Sequence, residues 1–475
     1  MVPIKPLIAH EVRQLLRDGR FWWVGSLVLV LLLSSGAFGL GHAAATKSER
    51  DEARETAASQ WAAQGDKNPH AAAHYGIYVF KPLSGLSFLD PGVDPSLGVT
   101  VKLQAHKRSA LVGASAQDST AIRHFGRLTP AAILQLILPL LIIGLGFTAW
   151  SAERDRGTLR QLMSYGVEPS RLLWGKLLGL GATLSMLLLP AVVGGAVALS
   201  SMSDSTIAAG RVVGLFVSYL LYGVIFMCGS IWVSAKASTS RVALVVLLGF
   251  WGITSLIVPR FAGNFIDSVF PMPSASTFAA ELEQSLKDGL PKHSGREART
   301  DVLLKKIMKE EGFEGGGVMM MSGSLLQGLE LEAEALFERE VFDHHFDALS
   351  RRSQTQQQAL QWFGIVSPFV ATRALSMGLA GTDLGHHQDF TQHAERYRRA
   401  LVSQLNREFA ESAGTDGWAY KANRQLWEKA PPFTYSQPGP GWLFERHLVA
   451  IMMLLFWTVL TGFGAWWSAR HLKVV

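Results

Sequence analysis

Histidines and carboxylates with the spacing of metal ligands occur at two places in this sequence. Asp389 and His393 are four residues apart and His386 lies seven residues before His393, so one helix face could present all three to a divalent cation. The second group comprises Asp343, His344, His345 and Asp347. Adjacent histidines on a helix point about 100° apart and do not easily face one ion. Because histidines at a helix start more often form local hydrogen bonds, we expect no metal site in this chain.

Motifs for nucleotide binding or hydrolysis are missing from the sequence. The nearest approach to a phosphate loop, Gly175-Lys176-Leu177, has no Ser or Thr after the lysine. Neither HExxH nor GxSxG occurs. The single cysteine, Cys228, excludes an intramolecular disulfide and a cysteine-based zinc site. We therefore expect no catalytic residue and no cofactor in the chain itself.

The composition indicates a membrane protein. Only 17% of the 475 residues are charged and 48% are hydrophobic, whereas about 25% of residues are charged in soluble proteins. The formal net charge of +6 is not arranged as Lys and Arg interleaved with aromatic residues, which argues against nucleic acid as a partner. The basic residues flank apolar segments instead, as expected for contact with anionic lipid headgroups.

Six apolar segments are long enough to cross a bilayer, since a span needs about 20 residues that each rise about 1.5 Å. Backbone groups in lipid must bond within their own segment, so we expect helices here. The predicted spans are residues 21–40, 131–150, 172–200, 211–233, 241–259 and 447–469. Pro139 and Pro190 are expected to kink the second and third spans.

The distribution of Lys and Arg predicts the orientation of these spans. Basic residues are concentrated before the first span, after the sixth, and in the links that follow the second and fourth. The positive-inside rule therefore places both termini in the cytoplasm. The cytoplasmic segments then include residues 1–20, 151–171 and 470–475, and residues 41–130 and 260–446 lie outside.

The two long outside segments are large enough to form one extracytoplasmic domain. Phe390, Ala394, Tyr397, Leu401 and Leu405 recur with helical spacing, and a short strand is expected near residues 98–103. The predicted fold class is an all-α polytopic membrane protein with six transmembrane helices. Its external domain is mainly helical with minor β structure.

No predicted span carries an ionisable residue near its middle; Lys176 and His447 lie near span ends. Ion-coupled transporters and pumps usually need such a group inside the bilayer, so the sequence argues against secondary transport. The polar residues that could line a route are Gln135, Thr148, Ser185, Ser218, Tyr219, Tyr222 and Thr254. They suit an apolar or lipid-like substrate better than an ionic one.

The first cytoplasmic segment, residues 1–20, is predicted to form an amphipathic helix. Its apolar face comprises Ile4, Leu7, Ile8, Val12, Leu15 and Leu16. Such a helix can lie in the headgroup plane as an anchor or contact a partner, and the sequence leaves both alternatives open.

The link between the second and third spans begins with a charged stretch that we call the coupling segment. It comprises Glu153, Arg154, Asp155, Arg156, Gly157, Thr158, Leu159 and Arg160. Pro169-Ser170-Arg171 and Gly175-Lys176 follow at the entry to the next span. This order of motifs resembles the cytoplasmic coupling segment of ABC-2-type permeases, which in that family is a short helix that docks on the ATPase. The alternative is an ordinary solvated loop with positive-inside arginines.

Further stretches resemble the DUF3526 branch of bacterial ABC-2 permeases. They are HYG at 74–76, LSFLDPGV at 86–93, His106, FGRLT at 125–129, LSMGLAGTD at 375–383 with His386 and His387, and YRR at 397–399. The resemblance covers most of the chain and implies a homodimeric permease in a bacterial inner membrane. It also implies a separate ABC ATPase subunit that binds ATP and Mg²⁺.

The function that this resemblance implies is ATP-driven export, or extraction, of a substrate that the sequence does not identify. One alternative is that the ATPase cycle drives the external domain to act on a periplasmic partner and nothing crosses the membrane. The other is a membrane-anchored metal-binding or enzymatic protein that uses the external histidines. A bound metal, and activity without an ATPase, would favour the metal-binding or enzymatic protein.

Overall fold

Most of the chain is helical in this computed structural model, which describes residues 3–108, 128–201, 209–291, 295–313 and 323–472. Six helices are long and apolar enough to cross a membrane. We call them spans 1 to 6: Gly19–Ala62, Pro130–Asp155, Pro169–Ser201, Ala209–Lys236, Ser240–Val269 and Pro440–Arg470. The predicted fold class is thereby confirmed. Residues 125–127 of the family resemblance and 473–475 of the predicted tail lie outside the described residues.

Shorter elements lie at both ends of the bundle of spans. The end that carries the helices Ile4–Leu16 and Thr158–Ser164 is called the N-terminal side. At the other end is a polar domain, whose main elements are Pro69–Tyr75, Ile77–Phe80, Asp94–Leu97, Thr100–Leu103, Ala275–Asp288, Arg296–Glu310, Gly323–Trp362, Leu384–Ser412 and Arg424–Glu428. The two strands pair antiparallel with Ile77 opposite Leu103, which agrees with the strand expected near residues 98–103.

Span 1 continues well beyond its predicted end at residue 40. Its 44 residues extend about 66 Å at about 1.5 Å per residue, roughly twice the hydrocarbon thickness of about 30 Å. In the distal half Trp61 is buried, and its indole N–H donates to the Trp427 carbonyl at 2.9 Å. The distal half of span 1 packs on the polar domain and is mostly polar. The apolar pattern of the sequence therefore identifies only the half of this helix that lies inside the bilayer.

Pro139 is accommodated by a widened helical turn in span 2. The residues before it, Ile133–Ile137, form a π-helical segment. Proline has no N–H for the carbonyl four residues earlier, that of Gln135. The Tyr222 hydroxyl of span 4 donates to this carbonyl at 2.9 Å, so span 4 replaces the lost backbone bond. Span 5 contains a second π-helical segment, Ile253–Ile257.

Residues 363–380 of the long second polar segment enter the bundle and pack between the spans. After a 3₁₀ turn, Phe363–Ile365, the helix Pro368–Ala380 is largely buried, with Arg373 exposed. The Trp457 indole of span 6 donates to the Gly364 carbonyl at 2.9 Å. The Ser367 hydroxyl donates to the Thr254 carbonyl of span 5 at 2.5 Å. Both partners lie near the middle of their spans, so this re-entrant helix reaches the middle of the bundle. At 13 residues it is too short to be recognised as a span by length.

A buried carboxylate, Asp383, joins the re-entrant helix to spans 4 and 6. Its carboxylate contacts His386 Nδ1 at 2.5 Å and His447 Nε2 at 2.9 Å. Arg211 of span 4 contacts His386 Nε2 at 3.2 Å. Burial alone raises the pKa of Asp383, but the hydrogen bonds from His386 and His447 outweigh it and hold the pKa well below its usual range. Asp383 is therefore a carboxylate at neutral pH, and its partners fix the end of the re-entrant helix.

We expect Gly378→Ala to destabilise the protein, because a Cβ at this position would overlap the His447 ring. His447 would move and lose its bond to Asp383. An added methyl in a packed interior costs about 1–3 kcal/mol, so the unfolding temperature of the detergent-solubilised chain should fall by several degrees. Gly462→Ala is the matched control, since no heavy atom lies within 4 Å of its new Cβ. Equal unfolding temperatures for the two variants would contradict the contact between the re-entrant helix and span 6.

Candidate functional site

The coupling segment forms a tight helix–turn–helix on the N-terminal side. Span 2 ends with the helical turns Ser151–Asp155, and the helix Thr158–Ser164 follows. Gly157 between them has a φ of 71°, a left-handed conformation that glycine adopts without strain. The Thr158 hydroxyl donates to the Glu153 carbonyl at 3.2 Å and closes the turn. The Gly-Thr pair of the motif therefore determines this local shape.

Two residues of the coupling segment bind it to the ends of spans 4 and 5. The Arg154 guanidinium donates to the carbonyls of Ala235 and Ala237 at 2.7 and 2.6 Å, at the carboxyl end of span 4. A cation is stabilised there by the helix dipole and by carbonyls without helical partners. The Asp155 carboxylate accepts from the Ser240 hydroxyl at 2.9 Å, at the start of span 5. These contacts attach one short segment to spans 4 and 5.

A buried lysine attaches the same segment to span 3 and to the N-terminal helix. Lys176 of span 3 is 3% exposed, and its Nζ donates to Glu153 at 2.6 Å and to Glu11 at 2.8 Å. The ammonium also lies 5.1 Å from the Trp150 ring centre. A buried cation is tolerated when charged partners and hydrogen bonds offset its desolvation, and two carboxylates do so here. We call Lys176, Glu11 and Glu153 the lysine cluster.

Two glycines of span 3 allow the N-terminal helix Ile4–Leu16 to approach closely. A Cβ at Gly175 would lie 3.0 Å from the Leu7 Cβ, and one at Gly179 would lie 2.5 Å from the Glu11 Cβ. Leu7 and Glu11 are half-buried in this contact. The amphipathic helix therefore has a protein partner, span 3. The Gly-x-x-x-Gly spacing at 175–179 is the signal in the sequence that indicates such a close approach.

The remaining residues of the coupling segment form an exposed surface. Arg156, Thr158 and Arg160 are exposed, whereas Leu159 is 1% exposed and anchors the helix from below. Tyr165 at the end of the same helix is 80% exposed. Arginine and tyrosine are frequent anchors of protein interfaces. The eight predicted coupling residues thus divide into an inward set that positions the segment and an outward set that is free to meet a partner.

The two groups of histidines and carboxylates considered as metal ligands in the sequence are not assembled around a common point. His386 is held by Asp383 and Arg211, and a cation would be repelled by that guanidinium. His393 bonds the Asp389 carbonyl of its own helix at 2.8 Å. His345 contacts the Ser285 hydroxyl at 2.8 Å, and the Asp343 carboxylate pairs with Arg399.

A different set of histidines does converge in the described part of the chain, namely His70, His74 and His106. The first two have the i, i+4 spacing that brings side chains together on one helix face. That spacing was available in the sequence, but the proximity of His106, 32 residues after His74, was not.

Polar residues of the spans bond to one another in a chain that ends at a buried carboxyl group. Gln135 donates to the Tyr219 hydroxyl at 3.1 Å, and that hydroxyl lies 2.7 Å from the Ser376 hydroxyl of the re-entrant helix. Ser376 donates to Asp90 at 2.5 Å. Burial raises the pKa of Asp90 despite this bond. Gln135 and Tyr219, two of the predicted route residues, therefore have partners inside the bundle, and the carboxyl group comes from outside the spans.

Among protein families, the model for the ABC-2 family transporter protein matches residues 6–387 of this chain. The matched region begins in the N-terminal helix and contains spans 1 to 5, the coupling segment and the re-entrant helix. No curated protein matches the chain significantly.

Lys176→Met should release the N-terminal helix, because Glu11 and Glu153 would then face each other without their shared cation. Removing one partner of a buried ion pair costs about 3–5 kcal/mol. Release of the helix can be measured in a protein that also carries Leu7→Cys, because a cysteine at position 7 becomes accessible when the helix leaves span 3. The native Cys228 is buried and reacts slowly, so it does not interfere. Labelling of residue 7 by a maleimide should accelerate at least about tenfold, the factor that corresponds to about 1.4 kcal/mol. Lys236→Met, an exposed lysine on the same side, is the control; equal labelling of the two variants would show that the lysine cluster does not hold this helix.

Proposed function

Since this chain belongs to the ABC-2 family of transporter proteins, we propose that it is the membrane-spanning subunit of an ATP-driven exporter. The family supports a permease subunit of an ABC transporter that works with an ABC ATPase. Export as the direction, and an apolar or lipid-like substrate, are our proposals. The ATP and Mg²⁺ belong to the ATPase subunit, and the permease supplies the path and the coupling.

The observation that carries the proposal is the division of the coupling segment into an outward and an inward set. A force applied to the exposed Arg156 and Arg160 reaches three spans through three separate bonds. Glu153 acts on Lys176 of span 3, Arg154 on the end of span 4, and Asp155 on the start of span 5. An ordinary solvated loop needs none of these bonds. The geometry suits a segment that converts movement of an attached ATPase into movement of several helices.

The proposed orientation places the N-terminal side in the cytoplasm of a bacterial cell, with the polar domain outside the inner membrane. Its support is the basic residues that the fold gathers on the N-terminal side, among them Arg13, Arg17, Arg156, Arg160, Lys236, Arg241 and Arg470. Lipid headgroups and the ATPase would both meet this surface.

An apolar substrate is supported by how the polar side chains inside the bundle are used. Gln135, Tyr219 and Tyr222 bond to partners within the same chain. A polar substrate would have to displace those bonds, and leaving buried groups unpaired costs about 1–3 kcal/mol each. A lipid-like substrate could instead pass along the apolar outer faces of the spans, between two copies of the chain. We therefore propose a homodimer of the permease.

Transmission to a periplasmic partner is the second candidate function. It is favoured by the helices that continue from the bundle into the polar domain without a break. Span 1 has 44 residues, and Gly323–Trp362 has 40 residues and leads directly into the re-entrant segment. Movement of the spans would therefore move the polar domain as well. Transport of a labelled lipid by reconstituted vesicles would favour export over transmission.

The double variant Arg156→Glu and Arg160→Glu should weaken ATPase association, because it reverses the charge of the outward set and leaves the inward bonds intact. When the tagged permease is purified from membranes, we expect the amount of co-purified ATPase, and its ATPase activity, to fall at least about tenfold. Each of the two arginines is expected to contribute about 1–2 kcal/mol to the interface, and a tenfold loss of affinity corresponds to about 1.4 kcal/mol.

The matched control is Lys305→Glu with Lys306→Glu, two exposed lysines of the polar domain. These carry the same change of charge on the opposite side of the bundle. Wild-type ATPase recovery and activity in the Arg156 and Arg160 double variant would contradict the coupling assignment. Glu153 is unsuitable for such a test, because its replacement breaks the lysine cluster.

A further inference from the structure

Three imidazoles converge on one point in the polar domain. The Nε2 atom of His70 lies 3.2 Å from His74 Nε2 and 3.3 Å from His106 Nε2. The ligand atoms of all three lie within 4.8 Å of one another. They come from two separate elements, the helix Pro69–Tyr75 and the turn after the strand Thr100–Leu103. Such convergence brings together groups that are far apart in the unfolded chain.

The other ring nitrogens determine which atoms face the centre. His106 Nδ1 lies 2.7 Å from a carboxylate oxygen of Glu338, an acceptor, so this nitrogen carries the proton in the neutral ring. His70 Nδ1 lies 3.2 Å from the Asn406 side-chain oxygen and donates to it in the same way. The Nε2 atoms of His70 and His106 then present lone pairs to each other at 3.3 Å. Two facing lone pairs repel unless a metal cation or a proton lies between them.

Two of the three separations between the ring nitrogens match those of a tetrahedral zinc site. A Zn–N bond of about 2.0–2.1 Å gives about 3.3–3.4 Å between two nitrogens on one tetrahedral ion. The two separations from His70 Nε2 are 3.2 and 3.3 Å, and the third pair lies within 4.8 Å. A carboxylate behind a ligating histidine, as Glu338 is behind His106, is the usual outer partner that orients the ring and raises its basicity.

The backbone also holds His106 in an unusual conformation. Its φ is 58°, and it is the one described non-glycine residue with a positive φ. Such a conformation costs free energy and persists only where the surroundings impose it, often at functional sites. Here His106 lies in a tight turn closed by the Gln104–Lys107 bridge, and its imidazole lies beside those of the other two histidines.

We propose that His70, His74 and His106 bind a divalent metal ion of the zinc class. This departs from the expectation of no metal that the sequence patterns gave, and it uses none of the residues in the two groups that were considered there. Three protein ligands leave a fourth position for water or an external ligand, the arrangement of open zinc sites. A cavity of about 340 Å³ adjoins His70 and His106 and gives such a ligand room.

The proposed site would also join parts of the polar domain that are far apart in sequence. Through Glu338 and Asn406 the ligands contact the helices Gly323–Trp362 and Leu384–Ser412. The metal would therefore connect the first polar segment to the second. The site lies in the polar domain and shares no residue with the coupling segment. Metal binding can therefore be tested independently of ATPase coupling.

The test is metal binding by the purified full-length chain, carried on a tag without histidine. After treatment with a chelator, the wild type should bind about one Zn²⁺ per chain by calorimetry, and Co²⁺ should give the intense visible absorption of a tetrahedral site. His74→Ala removes an exposed ligand with little risk to folding and should weaken binding at least about 100-fold. Glu338→Gln keeps all three ligands and should weaken it about 10- to 100-fold, as expected for loss of an outer partner.

His344→Ala is the matched control, because it removes an exposed histidine of the same domain that takes no part in the cluster. It should bind as the wild type does. Absence of stoichiometric Zn²⁺ binding by the wild type would overturn the proposal and leave the three histidines as a hydrogen-bonded group. Equal affinities for the wild type and His74→Ala would overturn it too, since the metal would then lie elsewhere.

Discussion

The buried charge of Lys176 is the constraint on which the N-terminal side of this protein depends. An ammonium removed from water keeps its carboxylate partners close, because separation from either one gives up a charge-assisted hydrogen bond that offsets its desolvation. Its two partners come from different elements, Glu11 from the N-terminal helix and Glu153 from the coupling segment. The positions of these elements relative to span 3 are therefore linked. A movement that separates one of them from span 3 carries an electrostatic cost, so the three elements move together.

A comparable arrangement holds the other end of the bundle. Asp383 receives hydrogen bonds from His386 and His447, and Arg211 supports His386. Between the two ends the spans are uncharged, and their polar groups are joined by hydrogen bonds such as that from Ser367 to Thr254. Charged contacts thus fix both ends, while the middle is held by apolar packing and a few hydrogen bonds. Because apolar contacts are non-directional, repacking the middle of the bundle costs less free energy than breaking the charged contacts at either end.

Much of the fold follows from the sequence because the physics of spans is local. Twenty apolar residues identify a span whatever surrounds them, and all six were predicted in this way. The helical stripe that includes Phe390 and Leu401 was likewise visible, and both residues are buried in Leu384–Ser412.

The re-entrant helix was missed, since Pro368–Ala380 is too short to satisfy the length criterion and its burial depends on spans 4 to 6. The coupling segment was found through a motif, but the division into inward and outward residues depends on distant partners such as Ala237 and Ser240. The three converging histidines depend on a hairpin that brings His106 to His70, and a local pattern contains only the first two.

In the coupling function that we propose, the path of force would follow from which helices are continuous. Span 5 begins beside Asp155, contains the π-helical segment Ile253–Ile257, and touches Ser367 of the re-entrant segment within that stretch. A π-helical turn inside an α-helix is rare and is frequently found at functional sites. In span 5 this turn lies where the span contacts the re-entrant segment. That segment is continuous with Gly323–Trp362 and so with the polar domain. The same contacts that fix the fold thus form a continuous series from the coupling segment to the domain on the opposite side of the bundle, the route that the proposed coupling would use.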